Sequence, residues 1–343
     1  MSEKDRSARQ PTQADVARLA GVSQTAVSHV LNEKDDGIPA ETRQRILQAI
    51  EQLSYVPNLS ARSLRTRKTY TIASVIPDIT NPFYPTFQRG IQDVARSHEY
   101  DLILYNTDGL ADIEARCLRS LVQGRVDGVV VVLFNLGLDA LEPLLNRGIA
   151  VVALVAAGTE PVLPLLDTIY VDNVRAAETA TNFLISRGHT HIGMIAGVKD
   201  TPPRQRRIEG YRRALNEHHL PLDEFLIRGA DFTEQGGYEA MQALLQVSPR
   251  PTAVFAANDL MAIGAFMAIR EAGLNVPNDV AVVGFDDIPA ASMVNPPLTT
   301  IAHFQRSMGE KAAQLLFDRL NNRVPETGRS VEMPYKLIVR GSA

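Results

Sequence analysis

Residues 12–32 read TQADVARLAGVSQTAVSHVLN, two short helices joined by a tight turn. Thr12 supplies a hydroxyl where a helix N-cap needs one, and Asp15, three positions on, makes a capping box with a carboxylate at its third helical position. Val16, Leu19 and Ala20 fall at i, i+3 and i+4 and predict one apolar face. Gly21 follows where a C-cap needs positive φ. Ser23 can cap the second helix, whose apolar positions are Ala26, Val27, Val30 and Leu31. At 100° per residue, Gln24, Ser28, Thr25 and His29 lie at roughly 0°, 40°, 100° and 140° of that helix. The apolar positions take the opposite arc. Short hydrogen-bonding side chains with no long acidic one suit the donor and acceptor pattern of a DNA major groove. A plain two-helix hairpin with a solvated polar face fits the same spacing.

The chain has 343 residues, enough for two or more domains. Its 45% apolar and 22% charged content is that of a soluble globular protein. The single cysteine, Cys117, excludes an intramolecular disulfide, and no Cys/His cluster has zinc spacing. The N-terminal MSEKDRSARQP lacks the apolar core of a signal peptide and reads as a disordered tail over residues 1–11. With no apolar run near the roughly 18 residues of a membrane span, the expectation is a cytoplasmic protein. Net charge is −4, but its distribution is uneven. Up to Lys68, 11 Lys and Arg face 8 Asp and Glu, a balance of +3; the remaining 24 and 31 give −7. A weakly basic head on an acidic body places any nucleic-acid contact in the head.

After the turn EKDDGIPA, a third helix carries Ile46, Leu47, Ile50 and Leu53, a stripe expected to close a three-helix core against Val16, Leu19, Val27 and Val30. Pro57 ends that helix. Asn58 then caps a segment of about seven or eight residues, too short to be a stable helix alone in water. It carries Arg62, Arg65, Arg67 and Lys68. By itself this is a solvated basic linker; behind a helix-turn-helix it reads as a segment that folds on contact with DNA.

DVARLAGVSQTAVSHVLN closely resembles the helix-turn-helix of the lactose/galactose repressor (LacI/GalR) family. One departure is Ala26, where the family usually carries Thr, a change that removes a hydroxyl and leaves the polar face intact. Downstream, Pro57, Asn58, Ala61, Arg62 and Leu64 match the family's hinge helix. The resemblance implies that two such helices of a dimer enter the minor groove and that Leu64 wedges into the central base step, with Arg62 and Arg65 on groove edges or phosphates. Such a wedge costs a few kcal/mol of unstacking, offset by contacts that bending allows. The DNA-binding candidates are therefore Thr12, Ser23, Gln24, Thr25, Ser28, His29, Asn32, Tyr55, Asn58, Ala61, Arg62, Leu64 and Arg65.

From Thr69 the texture becomes alternating β and α. Apolar runs at Ile72–Ile76, Leu102–Tyr105, Val129–Phe134 and Ala150–Val155 form one series. A second begins at Ile169–Val171 and continues through Ile192–Ala196, Ala253–Ala256 and Val280–Phe285. Near-continuous apolar strands alternating with helices predict parallel sheets covered on both faces. Two series predict two lobes, with the ligand beyond the carboxyl ends of the strands, in the cleft between them. PDITNPFY from Pro77, VDN from Val171, Arg207–Tyr211, ANDLMAIG from Ala257, VVGFDD from Val282 and PPLTTI from Pro296 resemble the same family's periplasmic-binding-protein-like effector domain.

The expected fold is thus α/β. A helix-turn-helix domain occupies 12–57, a hinge helix 58–68, and a two-lobed body of parallel sheets flanked by helices 69–343. Lobe 1 is placed at about 69–168 plus 304–321, lobe 2 at about 169–300 plus 328–343.

No catalytic constellation emerges. Adjacent Asp286 and Asp287 should point to opposite faces, and neither GxGxxG nor a Walker loop is present. The cleft reads as a binding site, and neither a cofactor nor a metal is expected. Phe83, Tyr84, Arg207, Phe232, Asn258, Asp286 and His303 stand at carboxyl ends of strands. Fork-shaped donors, carboxylates and aromatic faces are what a sugar site combines, and the family match places effector contacts at Arg207, Phe232, Asn258 and Asp286. His303 replaces a frequent Gln. The apolar stretch from Ala153, where the family often carries a charge, points to a less polar or larger effector.

These readings converge on a non-enzymatic transcription regulator, a repressor. It would act as a homodimer on pseudo-palindromic double-stranded DNA under control of a sugar or glycoside, with a purine or nucleoside as second choice. A solute-binding protein feeding a transporter and a sugar-active enzyme are the alternatives. No leucine heptad follows VEMPYKLIVRG, so a tetramer built on such a tail is not expected.

Overall fold

The structure is a computed structural model, and it describes residues 11–31, 37–56, 68–124, 126–157, 163–323 and 327–343. The chain divides into two compact units between Thr69 and Tyr70.

The first unit is built on α1 (Gln13–Ala20), α2 (Gln24–Leu31) and α3 (Ala40–Gln52). Thr12 and Asp15 form the reciprocal cap: the Thr12 backbone donates to Asp15 Oδ2 at 2.9 Å, and the Thr12 hydroxyl accepts the Asp15 amide. Gly21 takes φ 66°, and its amide closes the helix onto Ala17 and Arg18. Ser23 Oγ accepts the Ala26 amide at 3.2 Å and caps α2 without the hydroxyl that Ala26 lacks. Val16, Ala17, Ala20, Val27, Val30, Ile46 and Ala49 form the core.

Two expected core positions fall outside it, for Leu19 is 47% and Leu47 is 45% exposed. On α1 the buried residues 16, 20 and 17 lie at about 0°, 40° and 100°, and Leu19, at about −60°, falls beyond the edge of that arc. Ile50 and Leu53 pack against the core as expected, and Tyr55 joins them, donating its amide to Ile50.

The second unit carries two six-stranded sheets. The first lobe contains β1 (Thr71–Ile76), α4 (Phe83–Ser97), β2 (Asp101–Asn106), α5 (Ala111–Val122), β3 (Gly128–Val132), the single turn α6 (Glu142–Leu145), β4 (Ala150–Leu154) and β5 (Asp167–Tyr170). The second contains α7 (Asn173–Ser186), β6 (Ile192–Ala196), α8 (Pro202–Glu217), β7 (Ile227–Gly229), α9 (Glu234–Leu245), β8 (Ala253–Ala256), α10 (Asp259–Glu271), β9 (Ala281–Asp286) and β10 (Thr299–Ala302). The chain then returns through α11 (Gln305–Leu320), β11 (Ser330–Glu332) and β12 (Lys336–Ile338). Strand order is β11-β5-β4-β3-β1-β2 in the first sheet and β12-β10-β9-β8-β6-β7 in the second. All pairs are parallel except β10 with β12.

This topology corrects the expected lobe boundary. Ile169 does not open the second sheet: Val152–Leu154 of β4 pairs in register with Asp167–Ile169. The C-terminal segment is also shared, since β11 pairs with β5 and β12 with β10. The chain therefore crosses between lobes three times, after β5, after β10 and after β11. The strand Leu102–Tyr105 is not buried on both faces either. β2 is the edge of its sheet, with Ile103 39% and Leu104 41% exposed.

α11 lies against α4 on the first lobe, as the sequence placed residues 304–321. Gly90 and Gly309 permit the close approach: a Cβ on Gly90 would strike the carbonyl of Arg306, and one on Gly309 the carbonyl of Phe87.

Candidate functional site

On the head, Ser23, Gln24, Thr25 and His29 are exposed along one side of α2 and Ser28 is half-buried, while Val27 and Val30 face the core. Thr12 is half-buried in its cap, where its hydroxyl also donates to Asp15 at 2.6 Å. Tyr55 packs its ring on the core rather than standing clear in solvent. Asn32, Asn58, Ala61, Arg62, Leu64 and Arg65 lie outside the described residues, as do the tail 1–10 and most of the hinge segment.

On the body, the carboxyl ends of both sheets converge on a cavity of about 700 Å³. Phe83, Tyr84, Arg207, Phe232, Asn258, Asp286 and His303 all line it. Convergence follows from topology: in parallel sheets every βα loop emerges at one end, and two such ends face each other across the cleft.

Arg207 lies in the second turn of α8 rather than opening it, and it is buried. Its Nε donates to Asn173 Oδ1 at 2.9 Å, and Nη1 donates to the Ala257 carbonyl. The guanidinium lies 3.7 Å from the centroid of the Phe285 ring, a cation–π contact that fixes its plane. Burial pulls its pKa down to about 10, and the charge of Asp286 opposes the shift.

Asp286 ends β9 at φ 119°, a backbone angle that L side chains rarely adopt. Its carbonyl accepts from Gln305 Nε2. Asp287 follows at φ 55° and turns its carboxylate to Arg340, 2.7 Å away, so the two aspartates diverge as their adjacency predicts. Burial pushes the Asp286 carboxyl up to about 8; Arg207 draws it down, and Asp259 adds to the rise. The shift favours the protonated form, which can both donate and accept. The loop is tied from below by Asp259, which is fully buried and accepts the Ile288 amide at 2.8 Å and the Thr300 hydroxyl at 2.5 Å. Burial raises its carboxyl to about 6, against the pull of those bonds.

Asn258 has structural duties as well. Its Oδ1 caps α10 through the Met261 amide at 2.9 Å, and its Nδ2 donates to the Phe232 carbonyl at 2.9 Å. Phe232 itself stands at φ 67°. His303, at the second crossing between lobes, is buried, and no hydrogen-bond partner meets its Nε2. Its ring meets Phe285 edge-on at 4.4 Å between centroids, and burial holds it neutral, well below the usual histidine range. Burial likewise raises the Tyr84 hydroxyl far above its ordinary value.

Two contributors escape the sequence reading. Asn173 orients Arg207 from the first crossing; it sits in the VDN motif, which marked it without giving it a role. Phe134 ends the run Val129–Phe134 and comes from the first lobe to within 6.4 Å, centroid to centroid, of Phe232 in the second. Its position at a carboxyl end was the available signal. Among the described residues no group of His, Cys, Asp and Glu could hold a metal ion.

A helix-turn-helix head and a two-lobed body with a cavity between its lobes define a DNA-binding regulator governed by a small molecule. The description "Bacterial regulatory proteins, lacI family" matches residues 12–58, and a periplasmic binding protein-like domain matches residues 181–343. The chain belongs to the lacI family. It is 38% identical to the Ribose operon repressor of Escherichia coli (strain K12), over 97% of this chain and 99% of that protein. It is 35% identical to Catabolite control protein A of Priestia megaterium, over 96% and 98%. Its fold matches the structure of a transcriptional regulator CelR-cellobiose complex with a TM-score of 0.73 at 33% identity, covering 97% of this chain and all of the other.

Proposed function

We propose that this chain is a repressor that binds a pseudo-palindromic operator as a homodimer and changes operator affinity when a sugar or glycoside occupies the cleft. The observation that carries the effector assignment is that buried Arg207 and Asp286 line the second-lobe end of a cavity walled by Phe83, Phe134 and Phe232. A planar fork of donors and a carboxyl that donates and accepts suit vicinal hydroxyls, and aromatic faces suit the apolar side of a sugar ring. A relative that represses a ribose operon and a matching fold that holds cellobiose support the same ligand class.

In this reading α2 reads the major groove with Gln24, Thr25, Ser28 and His29, and the segment carrying Asn58, Ala61, Arg62, Leu64 and Arg65 enters the minor groove. Ser23 and Thr12 hold the two helix starts, and Asn32 and Tyr55 complete the head. The three crossings after β5, β10 and β11 are the joints about which lobes close, and His303 sits on one of them. Coupling between cleft and operator is reciprocal, and a typical 1–3 kcal/mol would shift operator affinity roughly 5–150-fold. The second copy docks on the β2 edge, where Ile103 and Leu104 are exposed. The cytoplasm, where operator DNA lies, is the compartment this reading requires.

The test is selection of duplexes from a random pool by purified protein, followed by titration at several salt concentrations with a panel of saccharides and nucleosides. The expected result is a salt-sensitive preference for a two-fold symmetric site, altered by one saccharide. No preference for any duplex, with or without metabolites, overturns the assignment. Leu104→Glu should shift the dimer toward monomer in sedimentation, and an unchanged dimer removes the β2 docking surface.

A further inference from the structure

We infer that the first-lobe half of the cavity is a subsite for an apolar substituent, so that the effector is a glycoside with an alkyl or aryl aglycone rather than a free sugar. The inference rests on the sugar reading of the second-lobe half. Arg207, Asp286 and Asn173 supply the polar groups from one end. The opposite wall is Phe134, Leu136 and Leu138 from the loop after β3, with Leu154 and Val155 from the end of β4.

Size points the same way. The twelve heavy atoms of a hexose, even at the ~30 Å³ that a water molecule takes in the liquid, fill about 360 Å³. That is roughly half of the cavity of about 700 Å³. A second sugar ring in the remaining space would need polar partners. On the first-lobe side Asp78, Asn81, Asp108 and Asn135 also line the cavity, and each spends part of its hydrogen-bonding capacity within its own loop. Asp78 accepts from the Thr80 amide and hydroxyl, at 2.8 and 2.7 Å, Asn81 accepts the Phe83 amide at 3.0 Å, and Asn135 donates to the Gly109 carbonyl at 2.5 Å.

The apolar wall is also held in place. Glu114 of α5 is fully buried. Its Oε1 accepts the Phe134 amide at 2.8 Å, and its Oε2 accepts the amides of Asn135 and Leu136 at 3.3 and 3.0 Å. A carboxylate fully desolvated and satisfied by three consecutive backbone amides fixes the course of residues 134–136. It sets Phe134 opposite Phe232 before any ligand arrives, and a wall ordered in advance loses little entropy on binding. Glu114 is thus a positioning residue for the substituent.

The experiment uses full-length protein and calorimetric titration with free hexose, methyl glycoside and hexyl glycoside in the gluco, galacto and manno series, with cellobiose and lactose alongside. A buried methylene is worth about fourfold in affinity. The hexyl member of at least one series should therefore bind more than tenfold more tightly than its methyl counterpart. Val155→Asp should reduce that ratio to near one, and Glu114→Gln should lower it severalfold. Each ratio is taken within one protein and is insensitive to the fraction folded. Equal binding of methyl and hexyl members, or tighter binding of a disaccharide, overturns the subsite and leaves the sugar reading standing. Failure of every saccharide to bind overturns both.

Discussion

Asp259 accepts the backbone amide of Ile288 at 2.8 Å, and this bond joins the first turn of α10 to the loop that presents Asp286 to the cleft. The loop needs the tie because Asp286 and Asp287 both hold positive φ, a conformation that persists only where its surroundings impose it. Asp259→Ala leaves the Ile288 amide and the Thr300 hydroxyl buried without their acceptor. The expected cost is about 2 kcal/mol or more in urea unfolding. Affinity for the best saccharide should fall at least tenfold, because Asp286 loses its support. Full affinity with lowered stability would make Asp259 a fold residue alone.

The head separates reading from folding around one helix: Gln24 and Val27, about 60° apart on α2, fall on either side of the boundary between its exposed and buried arcs. Gln24 is exposed on α2, and Val27 is wholly buried three residues on. Gln24→Ala should reduce discrimination between the selected operator and a scrambled duplex by about 1–3 kcal/mol. The salt dependence should stay unchanged, since no phosphate-neutralising charge is lost. Val27→Ala deletes buried methyl groups, and the head should lose about 2 kcal/mol of stability. Fluorescence anisotropy with the two duplexes and thermal melting of each variant distinguish the roles. If Gln24→Ala keeps full discrimination, α2 does not read bases at that position.

How much was legible follows the range of the interactions. Caps and faces are local, so Thr12, Asp15, Gly21 and Ser23 could be read directly. The sheet's period and the rule for parallel strands put seven candidates at strand ends, and the fold brings all seven to one cavity. Strand pairing is long-range. Nothing in DTIY at Asp167–Tyr170 says that its edges meet β4 and β11 rather than β6, so the lobe boundary was misplaced. The same holds for Glu114, a helical glutamate by sequence, whose acceptor role exists only because the loop after β3 folds over it. Leu19 failed for a subtler reason: helical spacing admits two neighbouring arcs on so short a helix, and the buried alanines chose the other.

At the amino end of β5, Asp167 is fully buried and ligated by two arginines, Arg319 at 2.6 Å and Arg329 at 2.8 Å. Arg329 also reaches Asp318 at 3.0 Å, so β5, α11 and the strand β11 are pinned together. Burial works to raise the Asp167 carboxyl, and the bonds from Arg319 and Arg329 overcome it and hold the group below its ordinary range. A depressed carboxylate contributes stability above its unfolded value, and that contribution is lost as pH falls toward the folded one. Asp167→Asn should cost about 3–5 kcal/mol at neutral pH, because it strands the arginines, and the deficit should shrink in acid. Denaturant titrations at pH 7 and near pH 3 measure both. A deficit that does not change with pH would exclude the ionised clamp.

Asp286 has the opposite sign. Its carboxyl is raised from 3.8 to about 8, first by burial and then by Asp259, against the pull of Arg207. Tyr84 and His303 also face this part of the cavity, and burial keeps both neutral there. A raised acid stabilises the fold fully below its unfolded value, and the contribution drains away as pH rises through the folded value. The window is thus about pH 4 to 8, and Asp259, raised to about 6, adds to the same slope. Asparagine imitates the protonated acid without titrating. Asp286→Asn should therefore match the parent near pH 4 and melt higher at pH 8. A gain of ~3 °C or more corresponds to about 1 kcal/mol in a domain of this size. The same variant should bind saccharide more weakly, since a donor and acceptor of different geometry replaces the carboxyl. Thermal melts of the ligand-free protein across that range decide the matter. If Asp286→Asn melts lower than the parent at pH 8, the carboxyl is ionised there and held by Arg207, and the cleft recognises its ligand through a charged pair instead of a neutral acid.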